Sequence, residues 1–175
     1  FVRGEMELLR EDVEAALYSF SQIVYSSDCT IEDCIDVLDI CADMDRVPLL
    51  ERFTPIVERA FKDATPYLRE MALLYDDMEK SEKAIELLNK VLDENPFSID
   101  DWFSLAKVYA RCKNYDKALE ACDFALAIEE NDESILAFKG YCYYDNGEYK
   151  EAVEQFKLFM EYTSDKAVAY ELIAE

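Results

Sequence analysis

The sequence predicts an all-α solenoid of about five antiparallel helix pairs, and three observations carry that expectation. Ala84, Ala118 and Ala152 stand 34 residues apart in like surroundings: Glu82-Lys83-Ala84-Ile85-Glu86, Asp116-Lys117-Ala118-Leu119-Glu120 and Lys150-Glu151-Ala152-Val153-Glu154. Tyr75, Tyr109 and Tyr143 keep the same spacing, so two independent markers share one register. Apolar residues within a repeat follow helical periodicity, as in Trp102, Leu105, Ala106 and Tyr109, then Ala118, Leu119, Cys122, Ala125 and Leu126, and strand alternation is nowhere sustained. Breakers fall between the helical runs: Asn95-Pro96 after Leu92, Lys113-Asn114 before Tyr115, Glu130-Asn131-Asp132 before Ile135, and Asn146-Gly147 before Tyr149.

Each repeat is expected to be two helices, A and B, in which a small residue early in helix B lets it approach helix A closely. Residues 1–30 form a truncated repeat: Ala16 lies in register with Ala84 inside Asp12-Val13-Glu14-Ala15-Ala16-Leu17-Tyr18-Ser19-Phe20, with Gly4 and Phe20 in matching places. Residues 31–64 are a degenerate repeat, with Cys41 at the Tyr position and Leu50 at the Ala position. Pro55 falls inside its helix B, where the missing N–H predicts a kink. Residues 65–98 open at Thr65-Pro66, read as an N-cap followed by a first-turn proline, and carry Ala72, Tyr75, Ala84 and Pro96. Residues 99–132 carry Trp102, Leu105, Ala106, Tyr109, Ala118 and Ala125, and residues 133–166 carry Gly140, Tyr143, Ala152 and Phe156. Residues 167–175 are expected to start a further or capping helix, so that 1–175 is one solenoid.

Composition narrows the chemistry. Asp and Glu number 40 against 18 Lys and Arg, a formal net charge of -22, which repels a phosphate backbone and makes nucleic acid or an anionic membrane a poor partner. The absence of histidine removes the usual general base, His-assisted nucleophiles and His-ligated zinc, and three glycines cannot build a phosphate-cradling loop. The chain is therefore read as non-enzymatic, with no cofactor. Asp43-Met44-Asp45 and Asp76-Asp77 lack the glycine and terminal Glu of a calcium loop, so no metal is expected. The six cysteines, at 29, 34, 41, 112, 122 and 142, form no C-x-x-C pair and read as reduced, buried thiols. No apolar run reaches the ~18 residues needed to span a bilayer. A cytoplasmic location is expected, while a chain beginning Phe1-Val2-Arg3-Gly4-Glu5 is also compatible with an export signal removed upstream.

The 34-residue pattern resembles the tetratricopeptide repeat (TPR) family, most closely over residues 99–132, with Ala106 where that family usually has glycine and Glu130 where it has proline. The resemblance implies a right-handed solenoid that acts as a protein-protein interaction scaffold, holding a partner peptide or helix against the helix A residues of a concave groove. Those positions give Glu32, Asp36, Asp39, Asp43, Arg69, Glu70, Asp76 and Asp77 in the N-terminal half, and Phe103, Lys107, Arg111, Phe138, Tyr141 and Tyr144 in the C-terminal half. Aromatics beside a cation have the composition of a binding hot spot, and the carboxylates would favour a basic segment of the ligand. The alternatives are that the aromatics pack between helices and that the acidic run is a solvated face. If the groove reading holds, truncating Phe138 and Tyr141 leaves the fold intact. The family's carboxylate clamp combines Lys, Arg and Asn; Lys107 and Arg111 have no accompanying Asn, which argues against a receptor for chaperone tails. Rival readings are self-association through the solenoid ends, giving a homo-oligomer, and an accessory region of a larger enzyme or transport assembly.

Overall fold

The structure, a computed structural model, describes residues 1–163; the helix expected within 167–175 lies outside them. The described residues form ten α-helices and no strand: α1 (Val2–Leu9), α2 (Val13–Val24), α3 (Ile31–Asp43), α4 (Val47–Ala60), α5 (Thr65–Asp77), α6 (Ser81–Glu94), α7 (Ile99–Arg111), α8 (Tyr115–Ile128), α9 (Glu133–Asp145) and α10 (Tyr149–Tyr162). Ile31, Thr65, Ile99 and Glu133 open successive A helices 34 residues apart, and Val13, Val47, Ser81, Tyr115 and Tyr149 open the B helices at the same interval.

One turn recurs at every A-to-B junction. Glu11, Asp45, Glu79, Lys113 and Gly147, again 34 apart, all adopt positive φ, between 54° and 82°. At four of these turns two hydrogen bonds close the preceding helix, as where the Lys113 N–H donates to the Ala110 carbonyl (2.8 Å) and the Asn114 N–H to that of Tyr109 (2.9 Å). This left-handed cap satisfies the orphan carbonyls of helix A and reverses the chain within about three residues. The next residue then serves as N-cap of helix B: the Asp12 and Asn114 side chains accept from the Ala15 and Lys117 N–H groups.

One start signal differs from expectation. Thr65 is the first helical residue of α5, not its cap; Ala64 holds the N-cap position, and the Thr65 N–H donates to Asp63 Oδ1 at 2.9 Å. Helix α4 runs unbroken from Val47 to Ala60 through Pro55, whose preceding Thr54 turns its hydroxyl back onto the Leu50 carbonyl (2.8 Å).

The chain divides into two compact units, Phe1–Met78 and Glu79–Glu175. The core of the first is an aromatic column. Phe20 of α2 meets Phe53 of α4 edge-on (6.5 Å between centroids), and Phe53 meets Tyr67 of α5 likewise (6.3 Å). All three are fully buried, and Tyr67 shares a hydrogen bond with the Thr54 hydroxyl (3.2 Å). Leu50 and Cys41, the substitutes in the degenerate repeat, are buried as well, so the lost signature residues are replaced by apolar volume. At the surface of this unit the Arg52 guanidinium grips Glu14 with two hydrogen bonds (2.6 and 2.9 Å), joining α4 to α2 and holding the Glu14 carboxyl below its ordinary pKa.

The second unit has a core built on small residues. Ala106, Ala121, Cys122, Ala125 and Ile135 form one cluster, and Ala118, Leu119 and Cys142 another, so α7, α8 and α9 approach closely and larger side chains wrap the edges. Ala84, Ala118 and Ala152 are all buried.

The six thiols are free. Burial pushes the pKa of Cys34, Cys41, Cys122 and Cys142 up to about 12, desolvation of the thiolate being the main cause in each case. Because the thiolate is the reactive form, these four should be inert to a thiol reagent at mildly alkaline pH while the exposed Cys112 reacts at once. Ellman titration is expected to give rapid labelling of Cys112 in the native protein and of all six thiols after denaturation without reductant. Fewer than six would reveal a disulfide.

Candidate functional site

The C-terminal unit places the predicted aromatic row on two neighbouring A helices. The Ser98 hydroxyl caps α7 by accepting the Asp101 N–H (3.4 Å), and Asp132 caps α9 by accepting that of Ile135 (2.9 Å), which fixes the start and hence the register of each helix. Phe103 of α7 and Phe138 of α9 then meet edge-to-face, 5.4 Å between centroids at 81°. This contact brings the two rows side by side. Lys107 lies one turn beyond Phe103, its Nζ 3.9 Å from that ring's centroid, a distance at which the ring quadrupole attracts the ammonium. Arg111 follows, exposed, in the last turn of α7.

Tyr141 and Tyr144 continue the row along α9 with 45% and 41% of their surface exposed. Each rests edge-on against α10, Tyr141 on Phe156 (5.5 Å) and Tyr144 on Tyr149 (5.5 Å), so both rings are held while part of each faces solvent. Phe103 and Phe138 differ. Both are only partly exposed and pack on the Ala106–Ala121–Cys122–Ala125–Ile135 cluster, and Phe138 also touches the Ala118–Leu119–Cys142 cluster. The expectation that Phe138 can be truncated without cost to the fold is therefore corrected: helix periodicity put it on the face of Tyr141, but α7 and α8 pack against that end of the face.

In the N-terminal unit Glu32, Asp36, Asp39 and Asp43 form one exposed stripe along α3. On α5, Arg69 and Glu70 are half-buried and Asp77 is exposed. Asp76 is not the surface carboxylate expected of a groove residue, being only 7% exposed. Among the described residues no group of three His, Cys, Asp or Glu could hold a metal ion, and no helix is long and apolar enough to cross a membrane.

Two features escaped the sequence reading. Lys139 pairs with Asp123, tying α9 to α8. Phe124 of α8 stacks on Trp102 of α7, 4.5 Å between centroids at 19°. The signal for the second was present: Phe124 lies off the buried stripe of Ala118, Cys122 and Ala125, and an off-stripe aromatic on an amphipathic helix is left for the surface.

Tetratricopeptide repeat models match residues 70–98, 99–132 and 133–166. A TPR repeat-containing protein of Methanocaldococcus jannaschii is 36% identical over 67 residues, 38% of this chain and 12% of that protein, so the matched segment spans about an eighth of the relative's length. Among solved structures, MamA superposes with a TM-score of 0.67 at 20% identity, covering 94% of this chain and 96% of its own. The first TPR of Spaghetti (RPAP3) bound to an HSP90 peptide gives 0.57 at 20% identity over 63% of this chain and 87% of its own. The Yersinia enterocolitica type III secretion chaperone SycD, in complex with a peptide of the translocator YopD, gives 0.60 at 15% identity over 65% and 92%. At these identities the structural likenesses speak for the fold.

Proposed function

The chain belongs to the tetratricopeptide repeat family, and on that premise we propose that it is a non-enzymatic protein-protein interaction scaffold whose C-terminal unit holds a partner peptide or helix along α7 and α9. The observation that carries this reading is the Phe103–Phe138 contact, which aligns Lys107 with the exposed rings of Tyr141 and Tyr144. Held aromatic rings with a solvent-facing side offer large contact area and few rotors to freeze, and a neighbouring cation adds a directional polar contact. In the N-terminal unit the exposed α3 carboxylates favour a basic segment through charge complementarity. The peptides bound by the RPAP3 and SycD structures are in keeping with such a role.

The test follows from the burial pattern. A Lys107→Ala plus Tyr141→Ala variant removes two solvent-facing groups, so its helicity should match the parent and its stability should fall by only about 1 kcal/mol, the share of the Tyr141–Phe156 edge contact. Against peptides selected from a random displayed library on the parent chain, it should lose about 2 kcal/mol of binding, roughly 30-fold. Undiminished binding of every selected peptide would place the ligand on another face. A second reading, self-association, is favoured by the exposed stripe of Val2, Met6 and Leu9 on α1, and sedimentation at several concentrations separates the two.

A further inference from the structure

We infer that the cleft between α6, α7 and α8 is a second binding site, one that takes an arginine side chain of a basic peptide. The cleft measures about 230 Å³ and is separate from the α7/α9 row: Phe103, Lys107 and Phe138 do not line it. That volume lies below the ~300–1,000 Å³ of pockets for whole small molecules, and suits one long side chain. Its floor is Leu105 and Ala121, both buried.

Its walls are aromatic faces and acceptors. Trp102 and Phe124 are stacked, and the Trp102 Nε1–H is already committed to the Pro96 carbonyl (2.9 Å), so the indole is fixed and offers the cleft its ring and no donor. Tyr109 supplies a third ring. Asn89 donates from its Nδ2 to the Ile85 carbonyl (2.9 Å), which leaves its Oδ1 as the group able to serve a ligand, and Glu120 adds an exposed carboxylate. Rings that attract cations, together with two acceptors, specify a ligand that is flat, cationic and rich in donors. A guanidinium has all three properties, with five N–H groups in a planar fork that also stacks on rings, whereas an ammonium is a compact point charge without the plane. The formal charge of -22 draws such a ligand in.

Lys117 is the opposing element. Its Nζ lies 5.3 Å from the Tyr109 ring centroid, where it competes with an incoming cation for that ring and repels its charge. Removing it should therefore tighten binding, a sign that a damaged fold cannot produce.

Trp102 is the chain's one tryptophan, so its fluorescence reports on the cleft directly. Titration at low ionic strength with N-acetyl-Gly-Arg-Gly-amide should give a saturable change, weaker with the lysine peptide and absent with the citrulline peptide. Phe124→Ala should weaken binding about tenfold. Glu120→Gln should weaken it about fivefold, and Lys117→Gln should tighten it by about twofold to fivefold. Glu151→Gln, an exposed carboxylate outside the cleft, makes the same charge change as Glu120→Gln and should leave affinity unmoved. The inference is overturned if the citrulline peptide binds as tightly as the arginine peptide, if no saturable change occurs, or if Glu120→Gln and Glu151→Gln have equal effects. The cleft and the α7/α9 row share none of the residues varied, so either proposal can fail while the other stands.

Discussion

Phe53→Ala is expected to destabilise the N-terminal unit by about 3–5 kcal/mol, as truncation of a fully buried Phe does when the cavity cannot collapse. Phe53 is the middle ring of three, with Phe20 on one side and Tyr67 on the other, and none of the three is exposed. Its loss removes both edge contacts at once, each worth ~0.5–1.5 kcal/mol beyond area. The degenerate repeat makes the site critical, because α4 reaches α2 and α5 through this ring. Denaturant unfolding gives the stability change, and hydrogen exchange should show α2, α4 and α5 deprotected together. A loss under about 1 kcal/mol would mean that the column is not what holds this unit.

The repeat is legible in the sequence because its markers are steric. Ala84, Ala118 and Ala152 must be small, and nothing local competes with that requirement. The left-handed turns are legible only at Gly147. At Glu11, Asp45 and Lys113 the same backbone is imposed on residues with no strong preference for it, since the two hydrogen bonds closing helix A outweigh a local cost of roughly 1–2 kcal/mol. Asp76 and Phe138 depart from expectation for one shared reason. Periodicity tells which residues share a face of a helix, but the neighbouring helix decides how much of that face stays open. Tyr141 and Tyr144 are on the open part, and Phe138, a turn earlier on the same stripe, is partly covered. Of the predicted site, then, the row is visible in the sequence and its division into covered and open ends is not.

Gly140→Ala should destabilise the C-terminal unit by about 1–3 kcal/mol, against the trend for its position. Gly140 lies inside α9, where Gly to Ala at an open site would gain ~1 kcal/mol of helix propensity. A Cβ there would stand 2.3 Å from Phe156 Cε1 and 2.6 Å from Cδ1. The Phe156 ring is buried and packs edge-on with Tyr141, so it cannot yield without disturbing α10 and the exposed row together. The truncated first repeat has the same arrangement, with a Cβ on Gly4 meeting Phe20 at 2.4 Å, whereas Ala106 shares its cluster with the smaller Cys122. Helix A and helix B therefore divide a fixed volume, and a larger side chain on one requires a smaller one on the other. Phe156→Leu alone should also destabilise, by leaving a cavity. Combined, Gly140→Ala and Phe156→Leu should cost less than the sum of the single changes, with a coupling of ~0.5–3 kcal/mol measurable by a double-mutant cycle. Strict additivity, or a raised melting temperature for Gly140→Ala alone, would show that the ring has room to move and that the glycine is not what sets the distance between the two helices.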